Sequence, residues 1–289
     1  MCRKKISLHI GVTHVKPDMY GGWDGQLDAC QKDAEDMRDL ALSRGFKPKI
    51  LLDDNATRQN VLDFLEYAAK KVGRWGEFFV TYSGHGGQFK NDENAPSWDD
   101  EAWDQTWCLW DGHLFDDELY VAWSKFKKRA RVTVFSDSCH SGTMLAMIQL
   151  TDRPPLTGKQ AQLDELLGDI RREKSQTLSQ QIASYEVRKS FYDGLLIDIS
   201  NVVVPEPVAC IRLISACQDT EYAVSGTDNG AFTLAVNLVW GESGFDGGYD
   251  AFRNAVQEYL PYTMHSNYQI VGLDDSSVGQ DKVLRRSFW

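Results

Sequence analysis

Two short segments of this chain carry groups suited to nucleophilic chemistry. Ser83-Gly84-His85-Gly86-Gly87 holds an imidazole among glycines, and Ser136-Asp137-Ser138-Cys139-His140-Ser141-Gly142 holds a thiol. A thiol is a weak nucleophile at its ordinary pKa near ~8.5, and a neighbouring imidazole takes its proton or stabilises the thiolate. Small residues around both positions let a substrate backbone come close. The amide N–H groups of Gly86 and Cys139 are then candidates for stabilising a developing oxyanion. His140 competes with His85 as the base, but its adjacency to Cys139 makes productive side-chain geometry harder, so His85 ranks first. Taken singly, each motif also reads as an ordinary turn or a buried small hydrophobe.

The elements on either side decide whether the two groups can meet. Strand-like runs occupy 6–12, 47–52, 77–82, 131–137, 208–216 and 267–273. Phe78-Phe79-Val80 and Val132-Thr133-Val134-Phe135 are nearly continuous apolar runs, as parallel strands covered on both faces require. Between them lie helical patterns at 29–44, 57–72, 116–128, 232–240 and 248–259, with Thr57 as an N-cap and Gly45 and Gly73 as stops. This alternation predicts an α/β domain with a mostly parallel sheet and helices on both faces. In such a sheet, functional groups gather outside the carboxyl ends of strands, and both motifs follow a predicted strand.

Residues 151–201 interrupt the order. The segment opens on Arg153-Pro154-Pro155, has partial helical periodicity, and reads as an exposed insertion between sheet strands. Exposed polar connections are where proteolytic nicking concentrates. The chain is thus expected to form one domain over 1–289, with a first portion 1–150, the insertion 151–201 and a final portion 202–289.

Composition excludes several functions. The net charge is −11, and the stretch 92–118 holds ten acids with no Lys or Arg, so the excess is local. A chain without a cationic surplus is poorly suited to nucleic acid or anionic lipid. No run approaches the ~18 apolar residues needed to span a bilayer, and the N-terminal run is interrupted by His9 and His14. The six cysteines form no C-x-x-C pair, which fits reduced thiols in a cytoplasmic protein. Neither G-x-G-x-x-G opening a helix nor G-x-x-x-x-G-K-[ST] occurs, so no nucleotide cofactor is expected.

Tyr82-Ser83-Gly84-His85-Gly86 together with Asp137-Ser138-Cys139-His140-Ser141-Gly142 resembles the paired catalytic motifs of metacaspases and their prokaryotic relatives, the orthocaspases. Leu27-Asp28-Ala29-Cys30-Gln31-Lys32-Asp33-Ala34 resembles the family's first-helix motif, and Phe115-Asp116-Asp117-Glu118-Leu119 the segment before its third helix. Ser215-Ala216-Cys217-Gln218-Asp219 followed by Gly230-Ala231-Phe232-Thr233 resembles its small-subunit half. The resemblance implies a caspase-like three-layer sandwich on a six-stranded sheet. It also implies a cysteine endopeptidase with Cys139 as nucleophile and His85 as acid/base.

The same resemblance implies a primary pocket formed by Cys30, Asp33, Ser83 and Asp137. Two carboxylates converging on one pocket suit a guanidinium or an ammonium, so protein and peptide substrates with Arg or Lys before the scissile bond are expected. Asp104, Asp116 and Asp117 match family acids that bind calcium, and hard oxygen ligands suit Ca²⁺. A further family ligand falls where this chain has Thr143-Met144-Leu145-Ala146-Met147, which contains no acid, so strict calcium dependence is not implied. The insertion coincides with the family's subunit junction. Arg153, Lys159, Arg171, Arg172, Lys174, Arg188 and Lys189 are candidate self-cleavage points.

A monomer without an N-terminal prodomain is expected. Two other readings stay open: a Cys/His peptidase of the same fold with another primary specificity, and a catalytically silent scaffold or sensor module.

Overall fold

The structure is a computed structural model that describes residues 4–90, 103–139, 156, 158–169, 171–218, 221–241 and 244–272. Its centre is a six-stranded sheet formed by β1 (Lys5–Gly11), β2 (Lys47–Leu52), β3 (Glu77–Ser83), β7 (Arg131–Asp137), β9 (Cys210–Ser215) and β11 (Asn267–Gly272). The spatial order is β11-β9-β7-β3-β1-β2, and all neighbours are parallel except the β11–β9 pair. Strands from the first and final portions of the chain therefore share one sheet.

Strand alternation sorts the side chains onto two faces. Phe78, Val80, Tyr82, Val132 and Val134 join the core beneath α2 (Arg58–Lys71) and α3 (Asp116–Ser124). Phe79, Phe135 and Ile214 face α1 (Cys30–Ser43), α7 (Ala231–Trp240) and α8 (Tyr249–Gln257). Thr57 caps α2 as expected, its hydroxyl accepting the Asn60 amide at 3.2 Å. The three layers agree with the expectation, with most boundaries within two residues. The helix expected over 116–128 stops at Ser124, and the β9 strand is shorter than the 208–216 run.

Two smaller sheets were not anticipated. β4 (Gly86–Lys90), β5 (Trp103–Leu109) and β6 (Gly112–Phe115) make an antiparallel sheet that packs the described part of the acidic stretch into the fold. β8 (Arg172–Glu173) pairs antiparallel with β10 (Val224–Ser225).

The insertion departs from the exposed connection expected of it. It carries α4 (Lys159–Leu167), α5 (Leu178–Glu186) and α6 (Lys189–Ser200), and it buries Leu163, Lys174, Gln176, Ser184 and Tyr192. Tyr192 and Leu196 close a small core with Phe89 and Phe115, so part of the segment is anchored to the β4–β6 sheet.

Candidate active site

β3 and β7 lie side by side with Ser83 opposite Asp137, so their ends release the His85 and Cys139 loops next to each other. Ser83 and Asp137 share the parity of Phe79 and Phe135 and thus project toward α1 and α7. There the first turn of α1 presents Asp33, which is 1% exposed. Gly11, at the end of β1, permits this approach. A side chain there would overlap the Cys30 carbonyl.

The pocket so formed is occupied by the chain's own Lys174, which is wholly buried. Its Nζ lies 3.1 Å from Asp33 Oδ2, 3.1 Å from Asp137 Oδ2 and 2.9 Å from Ser83 Oγ. Ser83 Oγ donates to Asp33 Oδ2 at 2.6 Å. The Gly230 amide and the Asn229 side chain donate to Asp33, at 2.9 and 3.0 Å. Thr233 donates its amide and hydroxyl to Asp137 Oδ2, at 3.1 and 2.8 Å. Gly230 has no room for a side chain, because a Cβ would overlap Asp137 Oδ2 and Lys174 Nζ.

Burial alone would lower the Lys174 pKa, but the Asp137 and Asp33 carboxylates overcome it and hold the ammonium above its ordinary value. Burial pushes Asp137 up, against the pull of Lys174 and of the Thr233 bonds. With one cation and two acids enclosed together, the direction that governs the site is the retained charge on Lys174. Cys30 touches this cluster, but burial pushes its thiol up to about 12, which marks it as a lining residue rather than a nucleophile.

The backbone of Lys174 is held as firmly as its side chain. Its carbonyl oxygen accepts the Gly86 amide at 3.0 Å and the Cys139 amide at 3.2 Å. Its own amide donates to the Ala223 carbonyl at 2.9 Å, extending the β8–β10 pairing into the cleft. Beyond it, Ser175 bridges to Gly86, and the Gln176 amide donates to the Gly86 carbonyl at 3.1 Å.

His85 is 7% exposed and packs edge-on against Trp23, with ring centroids 4.7 Å apart. Burial, aided by the charge of Lys174, pushes its pKa down to about 3, against the Gly25 and Ser175 backbone, and neither ring nitrogen completes a hydrogen bond of normal geometry. The imidazole is therefore neutral while the cleft is filled. Its loop is fixed from the opposite face of the sheet. Tyr82 stacks on Trp107 and donates its hydroxyl to the His85 carbonyl at 2.7 Å and the Cys108 carbonyl at 3.0 Å. Cys139 is buried, and its thiol donates to the Glu221 carbonyl. Cys217 reaches the same carbonyl at 3.7 Å, and the Cys139 sulfur together with burial pushes the Cys217 thiol up.

The metacaspase, peptidase C14 domain family matches residues 5–148. The chain is 30% identical over 197 residues to Metacaspase-1 of Botryotinia fuckeliana, covering 63% of this chain and 43% of that protein. It is 25% identical over 269 residues to Metacaspase-1 of Lodderomyces elongisporus, covering 82% of this chain and 57% of that protein. The chain belongs to the metacaspase family. It spans only part of the length of these curated metacaspases. A crystal structure of protein GSU0716 from Geobacter sulfurreducens matches with a TM-score of 0.82 and 36% identity, covering 98% of this chain and 99% of that one. The caspase-like α/β fold of this metacaspase follows from that match and from the sheet described above.

The three acids expected to bind calcium lie on β5 and at the start of α3. Asp116 already accepts the Gln105 amide at 3.2 Å and the Asp117 amide at 3.1 Å. Among the described residues no group of three His, Cys, Asp or Glu side chains is gathered to hold a metal ion. Calcium takes six to eight oxygens. Asp104, Asp116 and Asp117 would therefore hold calcium only with further oxygen ligands, and the acids at 92, 93 and 99–101 of the same stretch lie outside the described residues. Residues 143–147 lie outside the described residues.

The self-cleavage candidates separate by position. Lys159 and Lys189 each begin a helix, Arg188 caps α6, and Arg171 bonds to Asp164. A helical backbone must unwind before it can be cut. Arg172 lies on β8, and Arg153 lies outside the described residues. Lys174 differs from these in sitting extended across the cleft, with its side chain in the acidic pocket. Nothing in its sequence context singles it out among the seven basic residues. Thr233, Gly230 and Glu221 also escaped assignment as site residues, because a hydroxyl, a glycine and a backbone carbonyl carry no signal until the fold supplies their partners. Among the described residues no helix is long and apolar enough to cross a membrane.

Proposed function

We propose that this protein is a cysteine endopeptidase that cuts after Lys or Arg, and that its first substrate is its own peptide bond between Lys174 and Ser175. The observation carrying this reading is the double hold on Lys174: its ammonium on Asp33, Ser83 and Asp137, and its carbonyl oxygen on the Gly86 and Cys139 amides. A bound substrate needs both contacts at once, one for selection and one for the oxyanion.

In the reaction, His85 takes the proton of the Cys139 thiol and the thiolate attacks the Lys174 carbonyl carbon. Negative charge then develops on the oxygen already facing the two amides. Collapse of this intermediate breaks the C–N bond, and His85 returns the proton to the Ser175 nitrogen. Water, deprotonated by His85, then releases the Lys174 carboxylate from the sulfur. Burial of His85 in the filled cleft disfavours the imidazolium that forms in this reaction. The Cys139 thiol bond to the Glu221 carbonyl must also break before attack.

The test compares wild type with Cys139→Ala by gel and by sequencing of new N-termini. The reading expects a fragment that begins at Ser175 in wild type only. Fragments from both proteins, or a cut elsewhere, overturn it. Adding calcium to the same incubation tests whether Ca²⁺ accelerates the cut. The proposed setting is a monomer in the reducing cytoplasm, acting on proteins with basic residues in extended segments.

A further inference from the structure

The segment lying in the cleft also displays how residues before the cut are read. We infer that Asp28 is a second specificity-determining residue, which selects a basic side chain two positions before the Lys or Arg at the cut. The inference rests on the peptidase reading above and adds a subsite to it.

Residues 172–174 run antiparallel to 223–225, with Arg172 opposite Ser225, Glu173 opposite Val224, and the Lys174 amide on the Ala223 carbonyl. Side chains two apart on an extended strand project to the same side. Lys174 and Arg172 accordingly point the same way, and Glu173 points the other. Lys174 meets Asp33. Arg172 meets Asp28, its Nε donating to Asp28 Oδ2 at 2.9 Å, with a longer contact of 3.5 Å from Nη1 to the Gln26 carbonyl. Both acids come from one stretch of chain, where the loop before α1 enters its first turn. That stretch sets two carboxylates at the spacing of alternate residues on an extended peptide.

The strand edge at 223–225 supplies the backbone pairing that any extended peptide uses, so it holds substrates without reading their sequence. Asp28 supplies a charge and little else. The Arg172 and Asp28 side chains are 46% and 33% exposed, so solvent screens the pair and its effect on turnover is modest. The subsite grades substrates and the Asp33/Asp137 pocket decides them. The substrate class is peptides of the form basic-x-basic, cut after the second basic residue.

The experiment uses the full chain after self-cleavage has run to completion. Turnover is measured on two fluorogenic peptides, acyl-Arg-Glu-Lys and acyl-Ala-Glu-Lys, with wild type and Asp28→Asn. Wild type is expected to favour the Arg peptide by about twofold to fivefold in kcat/KM at low salt. The preference should shrink as salt is raised. Asp28→Asn should bring the two peptides level by slowing the Arg peptide alone, and Asp28→Glu should restore part of the difference. Equal turnover of both peptides by wild type, or a preference that survives in Asp28→Asn, overturns the subsite and leaves the peptidase reading standing. Turnover of neither peptide overturns both.

Discussion

Lys174 and Asp137 form a fully enclosed ion pair, 3.1 Å from ammonium to carboxylate, although the two residues belong to different portions of the chain. Asp33 completes the arrangement from a third element. A cation buried between two acids is stable only while both partners remain, because an uncompensated buried charge is costly.

Removing the cation exposes that cost. Lys174→Ala is expected to lower unfolding free energy by about 3 kcal/mol unless the segment leaves the cleft and admits water to Asp33 and Asp137. Urea denaturation reads the first outcome, and faster trypsin cutting near Arg171 and Arg172 reads the second. Lys174→Arg should keep the segment seated, and unchanged stability of Lys174→Ala with an unchanged digestion pattern contradicts the enclosure.

The acids should control substrate choice separately from the chemistry. Asp33→Asn and Asp137→Asn are each expected to reduce kcat/KM on Lys-terminated peptides by at least about thirtyfold, the usual consequence of removing one member of a buried charge pair. Alkylation of Cys139 by a small uncharged reagent should proceed at the wild-type rate in both variants. A smaller effect on Lys peptides than on Asp-terminated ones contradicts the pocket assignment.

Gly230 offers a steric test that leaves every charge in place. A methyl group there collides with Asp137 Oδ2 and Lys174 Nζ, so Gly230→Ala must shift one of them. The expected result is a loss of about 1–3 kcal/mol in stability, with slower self-cleavage at Lys174. Wild-type melting and cleavage rates would show that the pocket has slack the geometry denies.

Two buried histidines away from the His85 loop predict how stability responds to acid. His9, bonded to Ser7 and Thr81, and His113, bonded to Ser184 and Thr106, are each pushed down to about 3, chiefly by burial. Their unfolded values stand near ~6.5, so below that pH the unfolded chain binds protons that the folded chain refuses. Stability should therefore fall as pH drops from about 6.5 toward 3, by about 1.4 kcal/mol per pH unit for each histidine. Denaturation midpoints measured at pH 7, 6 and 5 check the slope, and because His85 in the filled cleft is pushed down in the same way, His9→Gln should flatten it by about a third. For Lys174 the sign is opposite: its raised value supplies stability that is present below its unfolded pKa and is lost only as pH climbs through the folded one.

The sheet was legible because its signals are local. Phe78-Phe79-Val80 and Val132-Thr133-Val134-Phe135 identify buried strands in any context. Ser83-Gly84-His85-Gly86 and Asp137-Ser138-Cys139 mark where those strands end. Thr57 announces its helix through a cap that lies within four residues. The β4–β6 sheet and the short β8–β10 pair were not legible, since their strands are short and pair only where tertiary contacts bring them together.

The chain's amino acids, read alone, determined the sheet strands, the thiol, the imidazole and a set of carboxylates that favour a cation. They leave Lys174 as one basic residue among seven, in a segment whose polar pattern predicts exposure. Only the tertiary structure decided that this lysine, rather than Lys159 or Lys189, fills the pocket. The physical reason is that the site is assembled from α1, β3, β7 and the segment after β8, elements far apart in sequence. Burial of a lysine depends on where its counter-charges stand in space, and no local pattern around position 174 encodes their arrival.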